Sequence, residues 1–223
     1  MVKRFFSVAV LFMILLLAGG CMLNRPPSMR EAAQLHLEER YGGRFEFLMP
    51  FGTGQLGATT TPMLFTRYAE TEDVLVVGRR TDDGFEFQDN YLAVKFRDEM
   101  TALIRGIANE VFGESIVIYN AELQTLSPDL PGNATFEEYS RDRWSNIVAR
   151  IALTDELFDE ALVDKFAEKF EKTGITARIS FWLIDEDLFR SIDPLQRPIP
   201  ISHSDINHDV SIRINRRIAE EEG

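Results

Sequence analysis

The sequence predicts an α+β protein, with mostly antiparallel sheet packed by amphipathic helices. Three observations lead there. Strand patterns come in groups, at 44–49, 63–69, 74–80 and 85–87, and again at 115–123, 146–153, 175–184 and 209–214. Such clustering, in place of a strict strand–helix alternation, disfavours a doubly wound parallel sheet. Three longer stretches carry apolar residues at helical spacing. The apolar content, 45 % of 223 residues, is enough for a sizeable core.

In the first half, Ser28 has Glu31 three residues on, the spacing of a capping box that opens a helix over 28–41. Met29, Ala32, Ala33, Leu35 and Leu37 fall among Arg and Glu there, and Gly42-Gly43 ends it. Arg44-Phe45-Glu46-Phe47-Leu48-Met49 alternates and then turns apolar, as a strand would. Residues 52–62 form a Gly/Thr loop, and 63–69 with 74–80 predict a hairpin across Glu70-Thr71-Glu72-Asp73. Asp82-Asp83-Gly84 is a turn sequence before a short strand at 85–87. A long helix follows from about Asn90, with Phe96, Met100, Leu103, Ile104, Ile107 and Val111 on one face, and Gly113 closes it.

In the second half, 115–123 is rich in Ile, Val and Tyr and predicts a buried strand; 127–133 is a Pro/Gly loop. Thr135 and Glu138 repeat the capping-box spacing ahead of a short helix running to about Trp144. A strand at 146–153 precedes a helix over 154–172, whose Leu157, Phe158, Ala161, Leu162, Phe166 and Phe170 face inward. The apolar strand 175–184, a turn or two of helix at 185–192, and an alternating strand 209–214 complete the order. Two small, intimate subdomains, 29–113 and 114–223, are the expected division.

The N-terminus addresses the protein. Lys3 and Arg4 precede an apolar run from Phe5 to Leu17 diluted only by Ser7, the charged and apolar regions of an export signal. To Gly20 the run is about 16 residues, short of the roughly 20 that a spanning helix needs. Ala18-Gly19-Gly20 then leads into Cys21, the only cysteine. Small residues before a cysteine, after such a run, resemble the lipobox of bacterial lipoproteins, although Ala18 stands where leucine is commoner. The resemblance implies that residues 1–20 are a removed signal peptide. Cys21 would carry a diacylglyceryl thioether and acyl chains such as palmitate, holding residues 21–28 as a lipidated tether at the extracytoplasmic face of the cell membrane. At least two chains matter, since one binds a bilayer only marginally.

The stretch Tyr41-Gly42-Gly43-Arg44-Phe45-Glu46-Phe47-Leu48, with Asp89-Asn90-Tyr91-Leu92-Ala93-Val94-Lys95-Phe96 further on, resembles uncharacterised lipoproteins of Gram-positive bacteria. These have a helix ending in Tyr-Gly, a hairpin, and a helix opening near Asp-Asn-Tyr. The resemblance covers residues 29–100 and implies no activity.

Charge narrows the partners. The formal net charge is −12, and removal of Lys3 and Arg4 leaves 22 basic against 36 acidic residues, −14. Such a surface repels nucleic acid and anionic head groups, so membrane attachment should depend on the acyl chains.

Candidate chemistry is sparse. Gly52-Thr53-Gly54-Gln55-Leu56-Gly57 matches a dinucleotide fingerprint, but Ala58-Thr59-Thr60-Thr61-Pro62 follows where a helix should begin; no cofactor is expected. His203, Asp205 and His208 bring imidazole and carboxylate close in sequence, a donor set suited to zinc, although polar residues leading into a strand explain the segment equally. Ser202 and Ser204 flank His203, yet neighbours in extended chain point opposite ways. Asp185-Glu186-Asp187 sits where a strand's carboxyl end would lie, and reads otherwise as a helix start with first-turn acids. Tyr139 and Trp144, on a short polar helix, are candidate surface contacts. The expectation is therefore a membrane-anchored, non-enzymatic binding or protein-interaction module with an envelope partner. A cell-envelope hydrolase or metal-dependent enzyme using 203–209 is the alternative.

Overall fold

The computed structural model describes residues 26–51, 60–67, 73–121, 130–142, 147–193, 199 and 201–214. In chain order the elements are α1 (Met29–Tyr41), β1 (Phe45–Pro50), β2 (Thr60–Arg67), β3 (Asp73–Thr81), β4 (Gly84–Asp89), α2 (Tyr91–Lys95) and α3 (Arg97–Phe112). Then come β5 (Ile116–Tyr119), α4 (Phe136–Arg141), β6 (Ile147–Leu153), α5 (Glu160–Glu171), β7 (Ala177–Leu183), α6 (Glu186–Ser191), a 3₁₀ turn at His203–Asp205, and β8 (His208–Ile214). They form two four-stranded sheets, ordered β1-β2-β3-β4 and β5-β6-β7-β8. The first sheet is antiparallel throughout; in the second, β6 and β7 run parallel with α5 between them in sequence. The α+β architecture holds.

Both capping boxes form. The Ser28 amide donates to Glu31 at 2.7 Å and the Thr135 amide to Glu138 at 2.7 Å, each satisfying a backbone donor that a helix start leaves open. Two helices depart from expectation. The helix from Asn90 divides at Phe96, although the Phe96 amide still bonds Leu92 and the Met100 amide bonds Phe96. At that break the Phe96 ring stacks on Tyr139, 5.6 Å between centroids, and meets Phe136 edge-on at 5.8 Å. The helix expected from Thr154 starts only at Glu160. The Thr154 carbonyl closes a turn onto the amides of Leu157 and Phe158, and the Asp159 carboxylate caps the Ala161 amide at 2.8 Å.

One contiguous apolar cluster links the sheets through α3, which contributes Met100, Ile104, Ala108, Val111 and Phe112. Phe112 lies 5.7 Å from Phe181, and Phe166 meets Phe181 edge-on at 5.5 Å. Each such ring contributes about 1.5–3 kcal/mol by burial. Close approach needs glycine twice. A Cβ on Gly78 would lie 3.0 Å from Met29 Sδ, and one on Gly132 only 1.9 Å from the Arg40 carbonyl oxygen. The first lets α1 settle on the first sheet; the second lets the loop before α4 cross the end of α1.

Candidate functional site

Asp89, at the end of β4, is the only charged residue that is buried among the described residues. Its carboxylate accepts from Tyr41 OH at 2.6 Å and the Tyr91 amide at 3.0 Å, faces His36 Nε2 at 3.2 Å, and has Arg40 Nη1 at 3.8 Å. Burial, and then the Asp89 charge beside it, push the Tyr41 phenol far above its ordinary range, so it stays a donor. Asn90 continues the network. Its Oδ1 accepts from the Leu75 amide at 2.7 Å and its Nδ2 donates to the Ala121 carbonyl at 3.0 Å, tying β3 to the chain beyond β5. Tyr91 stacks near Tyr41, 4.2 Å between centroids, and accepts from Arg67. The segments Tyr41-Gly42 and Asp89-Asn90-Tyr91 thus meet in one polar knot. Its donors and acceptors are engaged with one another, which suits holding α1, β4 and the second half in register.

The outward side of the first sheet is unusual in the other direction. Phe45, Phe65, Val74, Met63 and Val76 point inward and are buried. A bulge at Leu48 breaks the register between Phe47 and Met49, and a bulge re-aims the side chains that follow it. Met49 therefore pairs with Leu64, which pairs with Leu75, and cross-strand partners share a face. The result is an apolar row on the side away from the core, with Pro62 paired to Val77 beside it. Leu48, Met49 and Phe51 are 44, 56 and 48 % exposed, three of the four most exposed large apolar side chains among the described residues. The sequence carried the signal, since alternation stops after Phe47, but a strand pattern alone does not say which face receives the extra apolar residues.

A cleft of about 460 Å³ opens at the carboxyl ends of β6 and β7, lined by Ile116, Leu157, Phe189 and Ile192 and by the charged Glu114, Glu156, Glu186 and Arg190. Glu186 accepts from Arg190 Nε at 2.5 Å. The expected placement of Asp185-Glu186-Asp187 at a strand end is thus found, and Glu186 and Asp187 lie in the first turn of α6. The Asp185 side chain bonds Asn207 Nδ2 at 2.9 Å and makes no cap. Arg190 already supplies a cation to this acidic lining, and none of the Asp89 network reaches it.

In the region 203–209 the described side chains of Asp205 and His208 are placed apart from any metal-type cluster. Asp205 turns back on Ser202, accepting from its amide at 2.7 Å and its hydroxyl at 2.8 Å; the backbone bond, then the hydroxyl, hold its carboxyl below the usual range. His208 begins β8 and is exposed, and the His203 side chain lies outside what is described. Among the described residues no three His, Cys, Asp or Glu side chains converge to hold a metal ion.

Tyr139, a candidate surface contact in the sequence, is instead packed in the core like most of the aromatics: its hydroxyl meets that of Tyr119 and burial raises its phenol well above the ordinary value. The polar residues of α4 had masked an inward face. Cys21, the segment 52–57 and Trp144 lie outside the described residues. No family model matches the chain, and comparison with curated proteins and with solved structures finds no match either.

Proposed function

We propose that the chain is a lipoprotein held at the extracytoplasmic face of the cell membrane by lipid on Cys21, where it works as a non-enzymatic binding module. Its binding surface is the outward face of β1–β3 with the edge strand β1. One observation carries this reading: Leu48, Met49 and Phe51 stand exposed beside the apolar row Met49–Leu64–Leu75. Contiguous exposed apolar surface of this kind marks interaction sites. The charged and apolar leader before a lone cysteine supports the anchor, and the strongly acidic remainder argues against attachment through a basic patch. Of the residues the enzymatic alternative would use, Asp205 is engaged by Ser202.

Methionine oxidation tests the reading, because peroxide attacks exposed thioethers and spares buried ones. Met49 is exposed, whereas Met63 and Met100 are buried and serve as internal references. In native membranes Met49 should oxidise at least about threefold more slowly than in Cys21→Ala protein released from them. Equal rates contradict the binding surface. Retention of Cys21→Ala in the membrane pellet contradicts the anchor.

A further inference from the structure

We infer that the occupant of this surface is the lipid bilayer itself, with Leu48, Met49 and Phe51 entering the head-group region of the membrane that holds Cys21. The inference rests on the anchor proposed above and names what the surface meets.

Geometry places the apolar run at the same end of the first sheet as the start of α1. The Phe51 amide donates to the Pro62 carbonyl at 3.0 Å, and the adjacent Thr61 pairs with Gly78. Met29, the first residue of α1, packs on Gly78, its Sδ 3.0 Å from where a Cβ would be. Within the sheet Phe51 and Gly78 are therefore about two strand spacings apart, roughly 10 Å, with the start of α1 packed on the inward face and the apolar row on the outward one. Arg30 reaches β1 on the same inward face, its guanidinium 5.3 Å from the ring of Phe47, which pairs with Phe65. From Cys21 to Pro26 there are only five residues, which span at most about 18 Å. A lipid on Cys21 thus keeps this end of the first sheet close to the bilayer surface.

The edge is also built against the other occupants. Strand addition by a peptide or a second copy needs a regular edge with free backbone donors. Here the bulge at Leu48 disrupts the ladder and Pro50 has no N–H to give, two devices that block edge pairing. What β1 offers is side chains: exposed Leu48, Met49 and Phe51. Apolar and aromatic side chains of this kind suit the membrane interface. Side-chain insertion into lipid uses the apolar run without requiring the backbone edge.

The test uses the full chain, produced in a bacterium, extracted from its membranes and reconstituted into neutral phosphatidylcholine vesicles. A Phe51→Trp variant reports on contact, with the parent's Trp144 and Trp182 as baseline. Replacing the lipid with bromine-labelled phosphatidylcholine should lower the emission added by Phe51→Trp at least twofold and leave the parent signal nearly unchanged. No added quenching in acylated protein overturns the inference and leaves the anchor standing. The same holds if Phe51→Trp is shielded only in a dimer or by a co-purifying protein. A Cys21 peptide whose mass shows no acyl group overturns the anchor, and the inference with it.

Discussion

The two sheets share an apolar inward face and differ in the rows they turn outward. In the second sheet the outward cross-strand row is Arg150–Ser180–Ser211, with the two serines hydrogen-bonded at 2.7 Å and Arg150 lying over Trp182 at 4.5 Å. Its inward face is Ile147, Ile151, Ile179 and Phe181, all buried. That is the ordinary half-solvated pattern. In the first sheet the outward row is Met49–Leu64–Leu75, and the inward side ends at a buried carboxylate, Asp89. The second sheet is explained by folding alone. The first has apolar side chains where folding does not need them, and it is the sheet on which the start of α1 packs.

Substitutions can break that contrast. The largest effect is expected in the shared core: Phe181→Ala removes a ring packed against Phe112 and Phe166 and should cost about 3–5 kcal/mol in urea unfolding. Asp89→Ala comes next at about 3 kcal/mol, because it strands the buried Tyr41 hydroxyl and the Tyr91 amide. A cost below about 1 kcal/mol would mean that water already serves these groups and that the knot does not hold the halves in register.

Alkaline pH gives a graded effect from the other half. Burial pushes the Tyr119 phenol up to about 12 from an ordinary 10. Below pH 10 both folded and unfolded chains keep the proton and this contribution is intact. Between 10 and 12 only the unfolded chain releases it, so stability falls by about 2–3 kcal/mol over that window. Urea unfolding at pH 9 and pH 12 measures the loss, and Tyr119→Phe should make the decline shallower without removing it, since Tyr139 is raised too. The smallest effect belongs to the outward face. Met49→Lys should change stability by no more than about 0.5 kcal/mol, and a cost near that of Phe181→Ala would make the apolar row structural and not a contact surface.

What the sequence revealed was local. Both capping boxes, the glycine that ends α3 and the strand alternations were legible, because each depends on neighbours within a few residues. The break at Phe96 and the late start of α5 were not. They arise where Phe96 packs against a helix forty residues away and where the Thr154 carbonyl closes its own turn. The same limit hid Tyr139 and the Asp89 knot, whose partners come from three separate elements. The parallel pairing of β6 with β7 was likewise invisible in residue spacing. In the apolar run Leu48–Phe51 the composition was plain, but only the bulge shows that it faces outward.

Mass spectrometry of the peptide that begins at Cys21, taken from the membrane fraction, tests the central claim most directly. A chain starting at Cys21 and heavier by a diacylglyceryl group is the predicted result. An unmodified thiol, with residues 1–20 still attached, would contradict it.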